Sequence, residues 1–134
     1  MEILIRPGLT YIHKTDHRDG SRQKSQWIIS QLDERGSFIL MYDSNWKHDH
    51  IGWGLHIQDR CANYLGTDNT GTYHLIVAKF VDGDRIEKWH GYPADHTYNP
   101  QDIPSRDILW QWKNMGYIGT CKVRKILKGQ RCNL

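Results

Sequence analysis

Tyr73-His-Leu-Ile-Val-Ala-Lys-Phe-Val81, then Asp82-Gly83-Asp84, then Arg85-Ile-Glu-Lys-Trp-His-Gly-Tyr92 is the stretch on which the fold turns. Two runs rich in β-branched and aromatic residues flank a glycine that can supply the positive φ of a tight turn, so the segment reads as an antiparallel hairpin. With residues 82–84 as the connection, Val81 opposes Arg85 and position i pairs with 166 − i. That register sets Ile76 opposite His90 and His74 near Tyr92. Side chains two apart share a strand face, so Arg85, Glu87 and Trp89 point one way and Lys88 and His90 the other.

Toward the N-terminus, residues 2–6 read as a short strand stopped by Pro7-Gly8, and the polar residues 13–24 as an exposed loop. Residues 21–35 admit two readings. In the preferred one they form a helix with Trp27, Ile28 and Leu32 on one face, Asp19 or Ser21 as cap and Gly36 at the C-terminal stop. In the other, residues 26–32 and 37–43 are a hairpin around Asp33-Glu34-Arg35-Gly36. Residues 38–42 and 53–57 read as strands, separated by a polar loop.

Beyond the hairpin the chain changes period. Residues 93–104 carry three prolines and read as an irregular connector. Pro104 and Ser105 then start a helix to about Met115 with Ile108, Leu109 and Trp112 on its apolar face. Thr120 caps a second helix to about Lys128, and Gly129 closes it. The expected fold is α+β: an antiparallel sheet of four to five strands, a C-terminal helical hairpin over 104–130 and, on the helical reading of 21–35, one N-terminal helix.

At 134 residues, 38% hydrophobic and 25% charged, the chain has the size and composition of a single globular domain, 1–134, rather than a disordered tail. No apolar run approaches the ~18 residues of a membrane helix. The opening Met-Glu-Ile-Leu-Ile-Arg-Pro lacks the basic and long apolar regions of a secretory signal. Cys61, Cys121 and Cys132 form no CxxC pair, which fits reduced thiols and a cytoplasmic setting. The absence of Walker, GxGxxG, GxSxG and HExxH motifs argues against nucleotide hydrolysis, dehydrogenase, α/β-hydrolase and zincin chemistry.

Charge is unevenly placed. All 15 acidic residues lie at or before Asp107, with 12 Lys and Arg beside them, a net of −3. The last 27 residues hold Lys113, Lys122, Arg124, Lys125, Lys128 and Arg131 and no acid, a net of +6. Such a segment suits a polyanion, with nucleic acid the simplest partner, or it neutralises the acidic remainder of its own domain. The helix pair, joined by Gly116-Tyr-Ile-Gly119, has the length of a helix-turn-helix but lacks the usual bracing third helix.

The eight histidines fall between positions 13 and 96. His48 and His50, with His56, could share a metal on a strand, but a solvated loop fits the spacing better, and no metal or other cofactor is expected. His13 and His17 belong to the polar loop, either as acid–base groups delivered by that loop or as part of a plain solvent-exposed turn. The hairpin carries the most suggestive set. Glu87 or His90 could act as base, His74 or His90 as acid, and Arg85 or Lys79 as phosphate clamp in metal-independent RNA cleavage. The competing reading is an ordinary half-solvated sheet with cross-strand pairs.

The resulting expectation is a nucleic-acid-directed protein, RNA before DNA, binding through Lys113, Lys122, Arg124, Lys125, Lys128, Arg131 and an exposed Trp89. It stands either as an endoribonuclease of the toxin type or as a binding module. The alternative is a non-enzymatic inhibitor or accessory factor of the antitoxin, immunity or mobile-element kind. Its exposed tryptophans would be hot spots and its basic helix would dock on an acidic protein surface.

Overall fold

The computed structural model describes residues 1–21 and 23–133; Arg22, in the polar 13–24 stretch, and Leu134 lie outside them. β1 (Glu2–Arg6) and β2 (Leu9–Ile12) form a hairpin, and β3 (Gln26–Trp27) leads into α1 (Gln31–Asp43). β4 (Lys47–His48), β5 (Ile51–Gln58), β6 (Cys61–Asn63), β7 (Gly66–Thr67) and β8 (His74–Leu75) follow. The chain continues through β9 (Val77–Asp82), β10 (Lys88–Pro93), α2 (Arg106–Asn114) and α3 (Thr120–Leu127). Short 3₁₀ turns sit at Thr15–His17 and Pro100–Asp102.

The protein mixes α and β structure, with a seven-stranded sheet ordered β1-β2-β10-β9-β5-β4, β6 attached to β5, and a smaller β3-β7-β8 sheet. The expected sheet was antiparallel with four to five strands. Instead β10 runs parallel to β2, through Lys88↔Thr10 and Trp89↔Tyr11, and the sheet is mixed. Two strands so far apart along the chain share no turn, so nothing local in the sequence announces their pairing.

The hairpin is present with another register. Trp89 pairs with Asp82 and His90 with Val81, so i pairs with 171 − i rather than 166 − i. His90 therefore does not face Ile76, and Tyr92 lies across from Lys79 rather than near His74. The cause is Asp82. Its carboxylate accepts the backbone N–H groups of Ile86 (3.3 Å), Glu87 (2.9 Å) and Lys88 (3.3 Å), so the loop widens to hold Arg85 and Glu87. Those two residues have positive φ, 59° and 62°, and leave the strand.

Both readings of residues 21–35 are replaced. The helix begins about ten residues later, where the Ser30 hydroxyl accepts from the Asp33 N–H at 3.0 Å, and it runs through Gly36 to take in residues 38–42. Its buried face is Glu34, Ser37, Phe38 and Met41, at helical spacing. Two of those four are polar, while Leu32 is exposed, so the apolar pattern misdirects. In the C-terminal half, α2 buries Ile108, Leu109 and Trp112 as its spacing implies. Gly119, not Thr120, occupies the N-cap of α3.

Close approach of α1 to the sheet requires missing side chains. A Cβ on Gly54 would stand 3.1 Å from the Ser37 carbonyl oxygen and 3.0 Å from the Phe80 ring. One on Gly91 would collide with Phe80. The space is filled by Phe38, whose ring lies 4.8 Å from Tyr11, 5.6 Å from Phe80 and 6.0 Å from Trp89. Among the described residues no helix is long and apolar enough to cross a membrane.

Glu34, 1% exposed, sits in this interface. Its carboxylate accepts from the Tyr11 hydroxyl (2.5 Å) and from Arg18 Nη2 (2.8 Å) and Nε (3.2 Å), with His13 Nδ1 3.2 Å away. Glu34→Ala would leave Arg18 and the Tyr11 hydroxyl without their acceptor. It should cost about 3 kcal/mol, read as a lower urea midpoint, and an unchanged midpoint would contradict this role.

Candidate nucleic-acid interface

The C-terminal cations fall into two groups. Arg131 is consumed internally: its guanidinium meets Asp95 at 3.2 and 3.3 Å and Asp68 at 3.7 Å, and lies 4.0 Å from the Tyr73 ring centre. Among the described residues, Lys113, Lys122, Arg124, Lys125 and Lys128 pair with no carboxylate. Four of the five are exposed and Lys122 is half-buried. Val123 and Ile126 anchor α3 from its apolar side, so its cations are held on the solvent side of a fixed helix.

Next to the end of α3 lies a cleft of about 330 Å³. The 94–99 segment joins the two features. His96 Nε2 lies 2.6 Å from the Gln130 carbonyl, and Asp95 on the cleft wall holds Arg131. The opposite wall is formed by His17, Gln23, Lys24 and Ser25. His17 stacks on Tyr92 with ring centres 5.3 Å apart, and its Nδ1–H donates to the Ser25 carbonyl at 2.8 Å. The Ser25 hydroxyl donates to the Pro93 carbonyl at 2.6 Å, tying loop to strand.

The floor is polar and fully engaged. The Tyr92 hydroxyl donates to Asp102 at 2.9 Å, Lys79 Nζ lies 3.6 Å from the same carboxylate, and Lys79 donates to the Gln101 carbonyl at 2.8 Å. Burial, with Asp102 adding to it, pushes the Tyr92 hydroxyl far above its ordinary pKa. Burial also raises Asp102, against the downward pull of Tyr92 and Lys79. Tyr98, 76% exposed, stands at the rim.

The residues expected to share catalytic work do not converge, and Lys79, the other clamp candidate, is tied to Asp102 and the Gln101 carbonyl. Glu87 accepts from the Tyr42 hydroxyl at 3.0 Å and from Trp89 Nε1 at 2.9 Å, so its carboxylate braces α1 against β10. Arg85 is exposed in the widened loop. His74 is exposed on β8 of the smaller sheet, with its ring 5.1 Å from Tyr64, whereas His90 lies half-buried on β10. Trp89 is 0% exposed and cannot offer its ring to a base. Trp46 and Trp53, at 1% and 8%, are likewise internal.

His48, His50 and His56 go separate ways. His48 Nε2 lies 3.0 Å from the Ser105 hydroxyl and 3.2 Å from Asp107, His50 Nδ1 lies 3.3 Å from Asp82, and His56 is on β5. His13 is buried rather than looped out, with Arg35 donating to its Nε2 at 3.3 Å. The cleft is not legible in the sequence because its parts come from His17, residues 23–25, Asn69 and residues 92–102. The one local signal was Asp95-His96-Thr97, where Asp95 Oδ1 accepts the Thr97 N–H at 3.1 Å, an Asx turn.

His13, His90 and His96 are all held below the ordinary histidine value of 6.5, chiefly by burial. As pH falls through that value the unfolded chain takes up these protons first, so stability is full above it and declines below. The urea midpoint should therefore be lower at about pH 6 than at about pH 7.5, and equal midpoints would contradict the neutral, buried state of these rings. Comparisons with protein-family models, curated proteins and solved structures find no match.

Proposed function

We propose that this is a cytoplasmic nucleic-acid-binding protein, RNA before DNA, which holds the phosphate backbone on the cations of α2 and α3. The observation that carries the reading is that, among the described residues, Lys113, Lys122, Arg124, Lys125 and Lys128 pair with no carboxylate, in a segment without an acidic side chain after Asp107. Had the basic segment served to neutralise its own domain, these side chains would meet carboxylates, and among the described residues Arg131 alone of the C-terminal six does. Five closely spaced cations attract a polyanion by releasing its counterions.

Binding is favoured over cleavage because Glu87 is occupied and His74 sits in the other sheet. The protein-inhibitor alternative loses most of its hot-spot residues, since Trp27, Trp46, Trp53, Trp89 and Trp112 are internal and Trp110 on α2 is half-buried. The same burial takes those five rings from the nucleic-acid reading, which rests on phosphate contacts. Three free cysteines support the cytoplasmic part.

Binding of labelled single-stranded RNA should fall steeply with salt, with a log–log slope of about −3.5 for five phosphate contacts. The triple variant Lys122→Glu, Lys125→Glu, Lys128→Glu should weaken binding more than tenfold at low salt and flatten the slope by about 2. It should do so without loss of helical circular dichroism. Equal affinity of the variant and the parent would overturn the proposal.

A further inference from the structure

The cleft beside α3 differs chemically from the helix it adjoins. Two carboxylates, Asp95 and Asp102, are built into its wall and floor, at 8% and 5% exposure. Among the described residues the cations around it are paired, Arg131 with Asp95, Lys79 with Asp102 and Lys24 with Asp16, so the cleft lacks the open cations with which α3 attracts the phosphate part of a nucleotide. It suits the other part. Tyr98 offers an open aromatic face at the rim, and Tyr92 with His17 makes a stacked wall.

Asp95 Oδ1 is taken up by Thr97 and Arg131, whereas Oδ2 receives the 3.3 Å contact from Arg131 and keeps acceptor capacity. A carboxylate oxygen with a free lone pair is matched by an exocyclic amine, as on cytosine N4, and opposed by a carbonyl oxygen in the same place, as on uracil O4. Asn69, also on the wall, can donate or accept.

Continuity decides the occupant. Arg131 and Gln130, immediately after α3, are bonded to Asp95 and His96, so a strand whose phosphates follow Lys122, Lys125 and Lys128 is led to the cleft mouth. We propose that the cleft receives one unpaired, amino-bearing nucleobase of a strand whose backbone lies along α3. This rests on the nucleic-acid reading above and adds base selectivity to it: the helix supplies affinity without sequence, the cleft supplies choice.

The test measures anisotropy of labelled oligocytidylate, oligouridylate and an abasic strand of equal length, with the parent protein and with Tyr98→Ala. Tyr98 is exposed, so its removal leaves the fold intact. The expected result is oligocytidylate about tenfold tighter than oligouridylate or the abasic strand, with Tyr98→Ala removing about tenfold of that affinity and most of the preference. The salt slope should stay unchanged, since no phosphate contact is lost. Equal binding of all three strands, unaltered by Tyr98→Ala, would overturn the cleft proposal while leaving the basic helix in place. Binding of none at low salt would overturn the underlying reading, and the cleft proposal with it.

Discussion

A carboxylate buried at the junction of α1, β2 and the 13–18 loop governs the arrangement of everything around it. Glu34 cannot stay charged in that position without donors, and it gathers the Tyr11 hydroxyl and the Arg18 guanidinium. Arg18 also donates to the Ile29 carbonyl at 2.8 Å, which fixes the segment leading into α1. The consequence extends to the cleft. The loop that delivers Arg18 to Glu34 also carries His17, which stacks on Tyr92 and closes one wall of the cleft. One internal ion pair thus sets both helix position and cleft shape, and an apolar residue at position 34 could fill the space without holding the loop.

Where acid and base meet in this protein, they serve the fold. Glu34 takes Arg18, Glu87 takes Tyr42 and Trp89, Asp82 caps the β9–β10 loop, and Asp95 takes Arg131. The cations of α2 and α3 stand outside this scheme. The uneven charge of the sequence therefore persists in three dimensions as a basic surface. Coulombic attraction over such a surface is long-ranged, screened by salt and indifferent to base identity. On the proposed nucleic-acid reading selectivity comes from elsewhere, and the adjoining cleft has acceptors and an open aromatic ring.

The parts legible in the sequence are those whose signals are local. α2 and α3 follow from Pro104-Ser105, apolar residues at helical spacing and the glycines at 116 and 129; β5 follows from alternation at Trp53 and Leu55. The basic segment is visible as a charge count. What stayed hidden depends on partners distant in sequence. α1 hides because Glu34 and Ser37 lie on its buried face, acceptable only once Tyr11 and Arg18 arrive. The hairpin register turns on three N–H groups claimed by Asp82, which a Asp-Gly-Asp turn signal does not foretell. Trp89 looked available at a strand end, yet the parallel pairing of β10 with β2 and the Phe38 ring enclose it.

The most direct test of the central claim is to map which backbone amides respond to a short single-stranded RNA by ¹⁵N–¹H NMR titration at low salt. The account predicts shifts concentrated on α3 and Lys113, continuing through Arg131 to the 95–99 segment and reversed by added salt. No response at low salt, or a response confined to the β1 edge or the β9–β10 loop, would contradict it.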